Sequence, residues 1–257
     1  MIKRYSILIY GLGGYIVASF NLLYIMGFLA EIYVPKNVTD GVQGNLWTAI
    51  FFDIGLLWLF GLHHSITART WFKQIWTRVI PPPIERATYL YMTAIMTAIL
   101  VLFWRPIPIT IWQVENETLS GIIYVVYVLV WCLMLLATFQ FGHFGFFGLR
   151  QAWEEFRNKR ASAPGFSARW LYGLVRHPIS LGWMLMPWVT PHLSVGHVVF
   201  ALGVTSYILI ATPFEEKDLI DELGARYREY RKNVPAFIPF FRKKRSIAVE
   251  EPVDERR

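Results

Sequence analysis

One cysteine, Cys132, is all that the 257 residues contain. A single thiol excludes an internal disulfide, a CxxC redox pair and a thiolate metal cluster. Charge is scarce too: Asp, Glu, Lys and Arg together make up 17% of the chain. Internal repeats are lacking. No cleavable signal peptide is expected, because the first apolar run is too long for an h-region and has no small-residue cleavage site. What is present is apolar: 55% hydrophobic, 17% aromatic, with a mean hydropathy of +0.39. A soluble chain of this length folds as one or two domains. Here the apolar residues collect instead in runs close to the length that crosses ~30 Å of hydrocarbon.

Residues 5–30, 46–62, 87–104 and 121–141 are four such runs. A fifth region, 179–213, is too long for one span and is broken by Pro187 and Pro191. It reads as a helical hairpin, 179–190 and 195–213, turning at Pro191-His192-Leu193-Ser194. The basic residues orient these segments. On alternate sides of the expected spans they divide 23 to 2, with only Lys36 and Arg105 on the sparse side. The positive-inside rule makes the rich side cytoplasmic. The expected fold is therefore an all-α polytopic integral membrane protein with five to six spans. Both termini are then expected at the cytoplasmic face. One membrane-embedded domain is expected over 1–241, with a linker at 158–168 and a charged tail at 242–257. The net charge of +7 needs no nucleic acid as partner, since anionic lipid headgroups account for it.

The polar residues then fall into place. One span ends in His63-His64-Ser65 with Arg69 beyond, and another in Gln140-Phe141-Gly142-His143-Phe144 with Arg150 beyond. The hairpin begins at Arg176-His177-Pro178 and runs out into Glu215-Glu216. All four sets lie at the cytoplasmic boundary, which reads as one site. Each piece has a plainer reading. His63 and His64 suit an interface as amphipathic side chains. Arg176 suits lipid phosphate, and Pro178 suits the first turn of any helix. Glu215-Glu216 suits the start of an exposed amphipathic helix, 214–232, with Leu219, Leu223, Tyr227 and Tyr230 facing the membrane. Asp53, charged within a span, reads equally as a functional carboxylate or as a buried interhelical hydrogen bond.

The same residues carry a family resemblance. Tyr172, Arg176-His177-Pro178 and Gly182 are followed by Glu215-Glu216, Leu219, Gly224, Tyr227, Tyr230, Val234-Pro235 and Pro239. This block, 165–240, resembles the C-terminal block of the isoprenylcysteine carboxyl methyltransferase and phospholipid methyltransferase superfamily. The stretch from Leu59 to Arg69, then Phe72-Lys73, Pro81-Pro82-Pro83-Ile84-Glu85-Arg86 and His143-Phe144, resembles a narrower group, the NnrU-like methanethiol S-methyltransferases. Ser180 stands where many superfamily members carry an aromatic residue, which disfavours a prenyl-protein acceptor. The resemblance implies S-adenosylmethionine-dependent methylation of methanethiol to dimethyl sulfide. It further implies that Tyr172, His177, Pro178, Glu215, Glu216 and Leu219 line the cofactor site, with His143 and Phe144 joining them. The partners are then a small volatile thiol and membrane lipid.

The chemistry asks for such residues. A carboxylate suits the ribose hydroxyls or ammonium group of the cofactor, and Phe144, Phe146 and Phe147 suit its sulfonium through their ring faces. A thiol reacts as its thiolate. His64 is the expected base, with Arg69, Arg150 or Arg176 beside the developing anion. Two alternatives stand: a prenyl-cysteine or phospholipid methyltransferase, and a redox protein whose histidines hold a haem or metal. Against the latter, the histidines fall at helix ends and no Glu-x-x-His lies in a span, so no metal is expected.

Overall fold

The computed structural model describes residues 2–159 and 168–239. Most of the expected linker and the whole tail 242–257 lie outside the described residues. In chain order the helices are α1 (Ile2–Ala30), α2 (Leu46–Ala68), α3 (Thr70–Trp76), α4 (Pro82–Phe103), α5 (Glu117–Phe141) and α6 (His143–Phe146). They continue with α7 (Leu149–Phe156), α8 (Leu171–Leu174), α9 (Pro178–Leu185), α10 (Val195–Leu223) and α11 (Ala225–Asn233). Two short strands, β1 (Thr110–Gln113) and β2 (His192–Ser194), complete the described elements. Five helices, α1, α2, α4, α5 and α10, are long and apolar enough to cross a bilayer. The chain is an all-α integral membrane protein.

Local chemistry sets where these helices begin. Asn45 accepts from the Thr48 amide at 3.2 Å and Asn116 from the Leu119 amide at 2.9 Å, so α2 and α5 each start on a side-chain cap. Ser194 and His197 form a reciprocal capping box at the start of α10. α4 opens on proline, whose missing N–H costs nothing in a first turn. The helices pack as a closed circuit: α1 on α4, α4 on α2, α2 on α10, α10 on α9, α9 on α5, then through α6 and α7 back to α1. Small residues permit the closest approaches. A Cβ on Gly11 would lie 2.5 Å from the Cβ of Ala152, so α1 and α7 touch only because glycine stands there.

The two ends of the circuit differ. At one end, called here the far end, Phe28, Trp104 and Phe200 pack edge to face or tilted within a buried core. Asp53 belongs to this end. Its Oδ1 accepts from the Arg105 amide at 2.9 Å, tying α2 to the chain just past α4, while its Oδ2 is buried with no hydrogen-bond partner. The opposite end gathers the basic residues and the candidate site.

The segment between α9 and α10 differs from the expected hairpin of two helices. α9 has only eight residues, and Pro187, which has no N–H to give, converts it to a 3-10 turn over Met186–Trp188. A short irregular stretch then leads into β2, which pairs antiparallel with β1 beyond α4, at the far end. α9 starts beside Glu216 at the basic end, whereas β2 and the start of α10 lie at the far end. The chain thus makes a sixth crossing without a sixth long helix. Its irregular backbone is held by protein: Trp112 Nε1 donates to Thr190 O at 3.0 Å and the Val114 amide to Pro191 O at 2.9 Å.

α10 runs ten residues further than expected, through Pro213 to Leu223. The supposed membrane-facing stripe turns inward instead. Tyr227, Tyr230 and Val234 are buried, with Leu219 and Leu223 packed on them, so α11 folds back against the end of α10. Burying two tyrosine rings under a helical hairpin outweighs leaving them at an interface.

Candidate functional site

The first set of residues is built where α9 starts. Pro178 sets the first turn, and His177 precedes it as an N-cap whose side chain makes no capping bond. The amides of Arg176 and His177 donate to Pro235 O and Ala236 O at 2.8 and 3.2 Å, so the Val-Pro segment after α11 lies against the start of α9. Below it sits Glu216, whose side chain is 4% exposed. Arg176 Nε donates to its Oε1 at 2.7 Å and His177 Nε2 to the same oxygen at 3.1 Å, while Arg231 Nε forms an ion pair with its Oε2 at 3.1 Å. Arg176 also donates to the carbonyls of Arg231 and Val234. Glu216 is the keystone joining α9, α10 and α11.

Its neighbour is placed quite otherwise. The Glu215 side chain is 54% exposed, and Oε2 stands 3.8 Å from His177 Nδ1. Tyr172 lies close by, its carbonyl accepting from the Tyr230 hydroxyl at 2.6 Å and its ring 6.1 Å from that of Phe141. Burial, with the Glu215 charge adding to it, pushes the Tyr172 phenol up to about 12, so it remains a proton donor. Phe237 faces the His177 ring at 5.7 Å. Leu219, one turn beyond Glu215 on α10, packs against the tyrosines of α11.

The second set centres on His143. Gly142 ends α5 at a φ of +94°, a conformation only glycine adopts freely, and this turns the chain so that His143 opens α6. The Thr138 hydroxyl donates to Leu135 O at 2.7 Å, so His143 Nδ1, also 2.7 Å away, must be the donor to Thr138. The Tyr15 hydroxyl then donates to Nε2 at 2.9 Å. Both ring nitrogens are thereby engaged, and the ring stacks on Phe139 at 4.2 Å. Burial lowers the His143 pKa, which agrees with this neutral form. Phe144 is 52% exposed, whereas Phe147 is buried against Tyr15 and His143. Tyr15 and Thr138 carry no sequence signal, since each stands in an unbroken apolar run.

The third set lies between α2, α4 and α10. His64 stacks on Phe60 at 5.6 Å, and the Tyr89 hydroxyl lies 3.0 Å from its Nδ1 and 2.9 Å from its Nε2. One hydroxyl cannot serve both nitrogens, so one remains available. Arg86 sits 4.6 Å above the Tyr89 ring and 5.1 Å from that of Phe146, and its Nε donates to Phe146 O at 2.7 Å. Counting basic residues alone marks Arg86 only as a topological charge. The arginines expected beside the anion, in contrast, face carboxylates. Arg69 pairs with Asp218 at 3.1 Å and also bonds Ser65, and Arg150 lies 3.9 Å from Glu154. Three acceptors or donors at this end, His63 Nδ1, Gln140 Oε1 and Gln151 Oε1, are buried with no protein partner. Among the described residues no group of three or more His, Cys, Asp or Glu is placed to hold a metal ion.

The three sets adjoin, Phe141 linking the second to Tyr172 and Phe146 linking it to Arg86. The structure therefore brings the expected residues to one end of the molecule but divides their tasks. Glu216 and Arg176 lock the frame, and Glu215 and His64 keep polar atoms available.

No protein-family model matches the chain, and no solved structure does. Curated relatives do. A methanethiol S-methyltransferase of Crocosphaera subtropica is 41% identical over 243 residues, 95% of each chain. That of Mycobacterium tuberculosis is 39% identical over 238 residues, 93% of this chain and 98% of its own. Methanethiol S-methyltransferase 2 of Bradyrhizobium diazoefficiens is 39% identical over 239 residues, covering 93% and 92%. Identity of this order over more than nine-tenths of the chain shows that it belongs to the methanethiol S-methyltransferase family.

Proposed function

We propose that this protein methylates methanethiol to dimethyl sulfide with S-adenosylmethionine as donor, at the end of the bundle that faces the cytoplasm of a bacterial inner membrane. The observation that carries the reaction is the family membership, which extends over nearly the whole chain. The 23-to-2 division of basic residues supports the orientation, with both termini cytoplasmic.

The residues fit the donor. It is a cation bearing hydroxyls and an ammonium group, and Glu215 offers a half-exposed carboxylate beside a phenol that stays protonated. Gln140 Oε1 offers a further acceptor with no protein partner. When bound, the donor supplies a methyl group on a positively charged sulfur, which passes to a sulfur lone pair. Glu215 would accept hydrogen bonds from the donor, Tyr172 and Phe237 would enclose it, and Glu216 would hold His177 and Arg176 in place. His64 would take the thiol proton on whichever ring nitrogen Tyr89 leaves open. The protein's main contribution is orientation, worth about 7–11 kcal/mol in well-aligned systems.

Headspace gas chromatography of a host expressing the protein and fed methanethiol tests this. Dimethyl sulfide made by the wild type and lost in Glu215→Ala is the expected result. Binding of S-adenosylmethionine without any dimethyl sulfide would remove methanethiol as the acceptor.

A further inference from the structure

We propose that Arg86 is the cation that stabilises the methanethiolate; this rests on the methyltransferase reading and names the residue within it. The comparison among arginines leads there. Arg176 and Arg69 each hold a carboxylate, at 2.7 and 3.1 Å, and Arg150 has Glu154 at 3.9 Å. Their charge is spent within the protein. Among the described residues, no carboxylate lies within ion-pair distance of Arg86. Its one hydrogen bond there is the 2.7 Å contact from Nε to Phe146 O, which leaves Nη1 and Nη2 without a protein acceptor.

Its setting suits a small anion. The guanidinium is held between the rings of Tyr89 and Phe146, at 4.6 and 5.1 Å, and so is fixed without being neutralised. Tyr89 in turn touches both nitrogens of His64. A neutral base and an unneutralised cation therefore flank one hydroxyl. The thiol S–H bond breaks, the proton goes to the open nitrogen of His64, and the electron pair stays on sulfur beside Arg86. Gly148 secures this geometry at a φ of +76°. A Cβ there would stand 3.0 Å from the Ala87 amide nitrogen and 3.1 Å from Arg86 Cβ, so the turn between α6 and α7 closes directly on the base of the arginine.

An anion at Arg86 has two sources, the thiolate and the carboxylate of the donor's methionine end, and the test separates them. Wild type, Arg86→Met and Arg86→Lys are purified in detergent. S-adenosylmethionine affinity is measured, and kcat/KM is followed over pH with methanethiol and with methaneselenol, a stronger acid. The expected result for Arg86→Met is a loss of about 100-fold or more at neutral pH with donor affinity unchanged. That loss should shrink as pH rises and be small for the selenol, which is already ionised. Arg86→Lys, keeping the charge, should fall between. Donor affinity weakened in step with activity, at every pH and for both acceptors, would assign Arg86 to the donor and overturn the proposal. Undiminished turnover by Arg86→Met would overturn it too. A wild type that makes no dimethyl sulfide would instead overturn the reaction itself.

Discussion

The far end and the basic end of this bundle use the same residue types to opposite effect. At the far end, His192 Nδ1 donates to Glu31 at 2.8 Å and Thr39 donates to the same carboxylate at 3.0 Å. His197, fully buried, donates to Leu29 O at 2.9 Å and accepts from Ser194. Two histidines and a glutamate there are consumed in joining α1, the strands and α10. At the basic end, His63, Gln140 and Gln151 keep buried atoms without protein partners, and Glu215 stands half exposed. A polar cluster whose capacity is filled from within is a joint, and one with capacity left over is a place for something else. Glu216 shows that a joint can also sit inside a site.

That contrast can be broken most forcefully at Glu216. Glu216→Ala leaves Arg176, His177 and Arg231 without their shared carboxylate, and we expect a loss of about 3–5 kcal/mol. Thermal melting in detergent and turnover should fall together. Glu215→Ala, one residue away, should leave the melting temperature nearly unchanged while turnover is lost. A matched loss of stability in both variants would erase the distinction between them. Next in size is His197→Ala, which strands the Leu29 carbonyl and the Ser194 amide in the far core and should cost about 1–3 kcal/mol. Donor affinity, measured on the folded fraction, should stay at the wild-type value, since no site residue moves.

The smallest effect is alkaline. Burial raises the phenols of Tyr172, Tyr227 and Tyr230 above their ordinary value of 10.0, Tyr172 to about 12. A group whose pKa is higher folded than unfolded contributes stability that is present below the unfolded value and disappears as pH climbs through the folded one. Melting temperature should therefore decline between about pH 10 and 12. Tyr172→Phe should make that decline shallower.

Long apolar runs made five of the crossings legible, because membrane helices must satisfy their own backbone and so advertise themselves by length. The limb at 179–190 was legible as an apolar segment but not in its form: its helical part is eight residues, and the rest is held by bonds from Trp112 and Val114, remote in sequence. α10 passes straight through Pro213, the end expected from sequence. For the site, Arg-His-Pro and Glu-Glu were visible as polar breaks in apolar sequence. Their division of labour was not, since it depends on partners such as Arg231 and Asp218 brought together only by the fold-back of α11 and the length of α10. Arg86 was hidden for the converse reason. It stands out only once Arg69, Arg150 and Arg176 have been matched to acids.

The sixth crossing has a mechanical side. A long helix meeting a thicker bilayer changes its tilt as one rod, whereas this limb is an eight-residue helix, a 3-10 turn and a bend, with a joint between each. Its two ends are anchored, one by the β1–β2 pairing and the other by the Arg176 and His177 amides on Pro235 and Ala236. A change in bilayer thickness is therefore taken up at the joints between those anchors.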